Sequence, residues 1–412
     1  MRLSFRLAKL VNYTPDRNKR PGIIKAIVDA TGLDRHLVSN LLKNIARGIP
    51  LDAMSRLCEF LVDNGFCSPD QLPGALFGVE AETFWELLAR RQRLELCVGV
   101  RSAEQPEWPE RAWVVASDAV LLGELLNGVS TLGGTTQLRI PVSAGAGAGA
   151  EASEASASPP SASTASTPRG RTPHPEHLRQ TLVWSPGPQT SDVATQRALE
   201  VYDEFGRSRQ DKALVCLGSM KSNPVAELVM AEAFDAEPFK SADGEPRAMD
   251  RKCPIYLRYR DHDPHPESCW GGTRLALDAD SSVPGIYYEK DDGTWACCPS
   301  DEKGKDVAFV SYVSCEAQGW IQMTLGGFSG RATRLLARTL ASRAEGFWPP
   351  TCTVGGKQYG TFIVAYRLPP ESNRQDVLRT DVASDPEIIP ISKAVLERRL
   401  KADDADDREP TA

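Results

Sequence analysis

Apolar residues recur three and four positions apart through most of residues 1–93, in LSFRLAKLV, GIIKAIVDA, HLVSNLLKNI, LDAMSRLCEFLVD and AETFWELLARRQ. This spacing gathers them on one side of a helix, so the stretch predicts a helical unit. Asp34 before RHLVSNLL and Leu51-Asp52 before AMSRLCEF read as helix starts. From residue 94 the period shortens. LELCVGV, WVVAS and TQLRIPV predict strands, and SDAVLLGELLNGV predicts a helix opened by a Ser117-Asp118 cap.

Residues 143–172 break the pattern, because 26 of these 30 are Ala, Ser, Gly, Pro or Thr. Such a segment buries too little apolar surface to offset its ordering entropy and is expected to be disordered. Beyond it the alternation resumes: LVWSP, DVATQRALEVYDEF, ALVCLGS and NPVAELVMAEAF read strand, helix, strand, helix. Strand-like PIYLRYRD, PGIYYE, VAFVSYV and WIQMTLGG follow, then a helix RATRLLARTLASRA and a strand YGTFIVAYRL. Alternation of this kind implies parallel strands with helices on both faces. The expected fold is α plus α/β: a helix-turn-helix bundle in residues 1–93, then a Rossmann-like α/β domain. That domain is assembled from 94–142 and 178–395, with 143–177 as a disordered insertion, because 94–142 has too few elements for a core of its own. Residues 396–412 read as a mobile tail.

The formal charge of −7 is unevenly spread, since residues 1–50 hold ten basic residues against three acids, leaving −14 for the remainder. A basic head on an acidic body is a nucleic-acid pattern. No run approaches a membrane span, and the N-terminus lacks the apolar core of a secretory signal, so a cytoplasmic protein without membrane contact is expected. The ten cysteines are widely spaced, many inside apolar runs, and do not form a disulfide framework.

Residues 22–43, GIIKAIVDATGLDRHLVSNLLK, have helix-turn-helix grammar. Gly32 stands at the turn, and Ile27, Leu33, Val38 and Leu41 stand where two helices bury apolar residues against each other. With IPLDAMSRLCEFL, this stretch resembles the Cro/lambda-repressor-like helix-turn-helix family over about residues 3–65. It departs in the basic, proline-bearing TPDRNKRPG after the first helix, and in Val28, where the family usually has alanine. The resemblance implies a compact bundle whose third helix enters the major groove of double-stranded DNA. The recognition helix then spans about Asp34 to Lys43, with Arg35, His36, Ser39, Asn40 and Lys43 facing DNA and Arg17, Lys19 and Arg20 on the backbone.

Two strand-to-helix turns carry glycine with hydroxyl and basic residues. One holds Gly218, Ser219, Lys221, Ser222 and Asn223 ahead of Pro224; the other holds Gly327, Ser329, Gly330, Arg331 and Thr333. At the carboxyl ends of parallel strands they would line one crevice, and their amides and cations suit a phosphorylated or nucleotide-like molecule. Cys253, His262, His265 and Cys269 lack a known zinc spacing and read as a polar loop. Asp261, Asp263 and Glu289 have acid/base chemistry, but no nucleophile or metalloprotease pattern accompanies them, so no catalytic residue, metal or cofactor is assigned. The reading is a DNA-binding transcriptional regulator, a homodimer, whose α/β domain senses a small ligand or mediates assembly. Two other classes fit the pattern: an enzyme acting on a nucleotide or sugar-phosphate, and a non-catalytic interaction module.

Overall fold

The computed structural model describes residues 3–13, 22–69, 72–79, 81–102, 112–132, 177–186, 191–208, 211–241, 251–261, 263, 265–275, 282–301, 304–369 and 382–401. The expected strand TQLRIPV, the low-complexity stretch up to residue 176 and Arg17, Lys19 and Arg20 lie outside the described residues. The fold is mixed, with helices and mixed sheets.

The head comprises β1 (Leu3–Phe5), α1 (Leu7–Leu10), α2 (Ile23–Thr31), α3 (Arg35–Leu42), α4 (Leu51–Asp63), α5 (Leu72–Leu76), β2 (Phe77–Val79) and α6 (Glu86–Ala89). Helical spacing misleads at both ends. Residues 3–5 pair with β2 as an antiparallel strand, and Phe5 meets Phe77 with ring centroids 5.6 Å apart. AETFWELLARRQ yields only the single turn of α6, with Phe84, Trp85, Leu87 and Leu88 buried and Glu86 paired with Arg90 at 2.9 Å on the outer side.

The body follows as β3 (Arg93–Ser102), β4 (Ala112–Val114), α7 (Ala116–Thr131), β5 (His177–Trp184), α8 (Ser191–Arg207), β6 (Lys212–Leu217), α9 (Pro224–Phe234), β7 (Ile255–Arg258) and β8 (Gly271–Gly272). It continues as β9 (Gly285–Glu289), β10 (Trp295–Pro299), β11 (Lys305–Cys315), β12 (Trp320–Gly327), α10 (Gly330–Arg343), β13 (Cys352–Val354), β14 (Lys357–Arg367), β15 (Glu387–Pro390) and α11 (Lys393–Lys401). Strands β5, β3, β6 and β12 lie side by side and parallel; β11 and β14 extend the sheet antiparallel. Alternate residues face opposite ways. Leu94, Leu96, Val98, Val215 and Met323 pack with Leu121, Leu125 and Leu336 of α7 and α10. Cys97, Leu214 and Cys216 pack with Ala198, Val201, Val229 and Val395 of α8, α9 and α11. Both faces of β6 are therefore covered, and all six of its residues are buried. A four-stranded sheet, β10-β9-β7-β8, packs on the α9 side through Ile255, Leu257 and Ile286.

The tail begins later than expected. Residues 393–401 form α11, with Val395 and Leu396 fully buried and Arg399 Nε 2.5 Å from Glu289 Oε2. The charged composition of this end hides the buried Val395-Leu396 pair and the arginine partner. The stretch read as an insertion likewise ends one residue early, at 176, since His177 opens β5.

Head and body share a buried ionic junction. Arg6 Nη1 lies 2.7 Å and Lys9 Nζ 2.8 Å from the two oxygens of Asp211, the residue before β6. Glu316, between β11 and β12, takes Arg6 Nη2 at 3.5 Å and pairs with buried Arg91. The Lys9 amide donates to the Ala317 carbonyl at 3.0 Å, and Cys315 and Ala317 join the head's apolar core of Leu7, Val11, Leu41 and Leu57. Burial pushes the Asp211 carboxyl up, but Arg6, Lys9 and Arg91 outweigh it and leave it below the usual carboxylate range. Its contribution to stability is therefore full above the unfolded pKa of about 4 and lost on acidification through the folded value. Asp211→Ala strands Lys9 and takes from Arg6 its closer carboxylate in a largely dry junction, and equilibrium urea unfolding should show a loss of about 3 kcal/mol. A loss under about 0.5 kcal/mol would mean the junction does not hold the head.

Candidate nucleic-acid face and ligand crevice

Helix α3 owes its position to its ends and its neighbours. The Asp34 carboxylate accepts from the Leu37 amide at 2.9 Å, capping the first turn. Gly32 ends α2 at φ +69°, and the Arg56 side chain of α4 donates to the Thr31 carbonyl at 2.9 Å, holding the turn from below. Ile27, Leu33, Val38 and Leu41 are buried. The opposite side of α3 carries Arg35, His36 and Lys43 exposed, with Ser39 and Asn40 half-buried. Among the described residues none of these three exposed groups takes part in an ion pair. A cleft of about 380 Å³ opens beside Arg35, lined by Ile23, Ile24, Lys25 and Val28.

The carboxyl end of α3 is held by the body. Gly355 (φ +60°) and Gly356 (φ +83°) make the two-residue turn between β13 and β14, a geometry that needs positive φ at both positions. A Cβ on Gly356 would stand 2.2 Å from the Lys43 carbonyl oxygen, so this turn touches the end of α3 backbone to backbone. The Phe5 amide also donates to Asn44 Oδ1 at 2.7 Å. The helix is thus clamped behind Lys43 and open at Arg35 and His36.

At the other end of the sheet, α9 and α10 start where β6 and β12 stop, and α7 follows the short antiparallel β4 beside the end of β3. Helices α7 and α9 leave toward opposite faces from the adjacent strands β3 and β6, which makes a topological switch point between them. The structure brings the two glycine turns together: a Cβ on Gly326 would lie 2.9 Å from the Gly218 Cα. Their polar groups, however, are largely occupied by the chain itself. Asn223 accepts from the Val225 amide at 3.1 Å and donates to the Cys97 carbonyl at 2.9 Å. Pro224 follows it as the first helical residue. Ser329 accepts from the Ala332 amide at 3.1 Å, and Thr333 Oγ1 accepts from the Gly327 amide at 3.1 Å. The Ser222 hydroxyl donates to the Ser219 carbonyl at 3.3 Å. Lys221 does not stand open to an anion: its Nζ is 2.9 Å from Asp263 Oδ2 and 5.3 Å from the centre of the Tyr259 ring. Gly330 and Arg331 remain at the rim.

Residues that the sequence did not assign to this site complete it. Tyr259 is stacked between His265 and Phe328 at 5.6 and 5.8 Å, and its hydroxyl meets Ser219 Oγ at 3.3 Å. Arg260 lies 5.7 Å over Phe328. Asp118 is buried in the first turn of α7, within 3.8 Å of where a Gly218 Cβ would stand. The helix starts at Ala116, so Ser117 and Asp118 lie inside it and do not cap it. Burial pushes the Asp118 carboxyl up to about 6, more than the Ser117 hydroxyl and the Arg101 charge lower it. A charged residue in a first helical turn ordinarily reads as surface decoration, so only tertiary burial reveals it.

Among the described residues no three His, Cys, Asp or Glu side chains are grouped to hold a metal, and no helix is long and apolar enough to cross a membrane. Cys269 lies beside Cys253, and His262 is outside the described residues. No family model matches the chain, and neither a curated protein nor a solved structure gives a match.

Because the Asp118 carboxyl titrates higher folded than unfolded, the folded state binds the extra proton between about pH 4 and 6, and stability falls as pH rises through that window. Asp118→Asn should remove about 3 kcal/mol of this slope, so that its urea midpoint exceeds that of the unsubstituted chain at pH 7.5 but not at pH 4. Parallel pH curves for the two proteins would place Asp118 in contact with water.

Proposed function

We propose that this chain is a DNA-binding transcriptional regulator in which residues 3–65 act as a Cro/lambda-repressor-like helix-turn-helix and α3 is the recognition helix. The observation that carries the reading is the division of α3: Val38, Leu41 and Leu42 are spent on the core, while Arg35, His36 and Lys43 stand exposed with no ion pair among the described residues. Arg35 and Asn40 have the forks that read guanine and adenine in the major groove. Lys43 and Ser39 suit phosphate. Arg6 and Lys9 are committed to the body, and among the described residues Lys25, Arg35, Lys43 and Arg47 of the basic head stand exposed.

The carboxyl-end crevice is the sensing site in this reading, for a phosphorylated or nucleotide-like ligand. Its anion has to displace Asp263 from Lys221, and the planar part has the Tyr259–Phe328 stack beside it. A ligand phosphate only exchanges with the Asp263 carboxylate at Lys221, so the ligand's preference for one arrangement of the loop sets the size of any effect on DNA affinity.

Binding to random duplex DNA should weaken with salt at a log–log slope set by the phosphates contacted, and Lys43→Ala should reduce that slope by about one. Arg35→Ala together with Asn40→Ala should cost about 1–3 kcal/mol per base contact on a selected site and little on random sequence. No affinity for duplex at 50 mM salt would refute the reading; equal losses on both sequences would move recognition off α3.

A further inference from the structure

Strand β5 closes one side of the large sheet, and its pairing shows which of its groups remain open. The His177 amide donates to Gln92 at 2.8 Å and the Ser185 amide to Val100 at 2.7 Å, bracketing the parallel register that pairs 93–100 with 177–184. Backbone groups alternate sides along a strand. The odd-numbered residues therefore bond to β3, and the N–H and C=O groups of Leu178, Gln180, Leu182 and Trp184 point away from it. Among the described residues nothing but β3 pairs with β5.

The same even-numbered residues share the α7 face of the sheet with Leu94, Leu96 and Val98, but lie beyond the cover of α7. Leu178 is 57% and Leu182 48% exposed, although their neighbours on β3 are buried. Natural edge strands are guarded by charge, proline or a bulge. This one has no charge and no proline at its open positions. Its ionised residue, Arg179, lies on the opposite face, tied to Glu204.

We infer that β5 is a self-pairing edge through which a second copy of this chain joins the sheet. The open positions read Leu-x-Gln-x-Leu in either direction about Gln180, and a two-fold interface requires that self-complementarity. With the two strands antiparallel and Gln180 on the axis, Leu178 of each copy faces Leu182 of the other. About six backbone hydrogen bonds form across the axis. No like charges meet on the apolar face, and Arg179 comes opposite the Thr181 of the other copy. The result is one sheet continuous through both copies, with the two heads at opposite ends of its strands.

The test is the mass of the full-length chain in solution, by sedimentation velocity. The unsubstituted chain of 44.9 kDa should sediment as a dimer at about 20 μM. Gln180→Pro removes an amide that points away from β3, and Leu182→Lys places a charge at an exposed position facing its own copy. Both should sediment as monomers with circular-dichroism melts close to that of the parent. Should the proline variant fail to fold, Leu182→Lys decides alone, since that side chain is already half in water. A monomeric parent, or a dimer that both variants preserve, overturns the inference. The readout does not involve DNA, so a dimer without duplex affinity would refute the regulator reading and leave this one standing.

Discussion

The carboxylate of Asp211 is the constraint around which the two parts of the molecule are arranged. It is buried at the amino end of β6 and must be compensated there, and Arg6 and Lys9 of the head supply the charge. Glu316 repeats the arrangement one strand over with Arg6 and Arg91. A buried ion pair gains little over a well-packed apolar contact, yet it is costly to break from one side only. Such a junction specifies where the head sits more than it adds to stability. The apolar packing of Leu7 and Val11 with Cys315 and Ala317 supplies the area that the charges orient.

That placement gives the body two working ends. The amino ends of β6 and β12 receive the head, and Asp118, Lys221 and Tyr259 gather at their carboxyl ends. The six residues of β6 separate them by about 20 Å. The same sheet reaches the head by a second route, because β14 leads to the Gly355-Gly356 turn that abuts Lys43. A change in the crevice thus has a physical connection to the end of α3 through hydrogen-bonded strands. The glycines that first suggested a phosphate cradle serve the chain's own backbone, packing Gly326 against Gly218. The crevice differs from an empty anion site: it carries its own carboxylates, at Asp118 and Asp263.

What could be read from the sequence was local. The Asp34 cap, the left-handed Gly32, the Asn223-Pro224 helix start and the buried Ile27, Val38 and Leu41 all follow from spacing within a few residues. The strands of the parallel core were legible for the same reason. What escaped depends on partners far along the chain. Arg6 and Asp211 are 205 residues apart, so the basic head looked free when two of its cations were engaged. Residues 3–5 carry a helical pattern but pair with Phe77–Val79, a partner no local period can announce. The charged end of α11 resembled a loose tail because Glu289, which fixes Arg399, is 110 residues away. Asp118 and Tyr259 become a site only when α7 and the loop after β7 meet β6.

Amide hydrogen exchange on the full chain, with and without duplex DNA, tests the central claim most directly. If the head is fixed at the amino end of the sheet and offers α3 to DNA, duplex should slow exchange in residues 35–43 and at the 355–357 turn behind them. Strand β6, buried on both faces, should be unaffected. Protection centred on the carboxyl-end crevice, or no protection on α3 at duplex concentrations that bind the protein, would contradict the account.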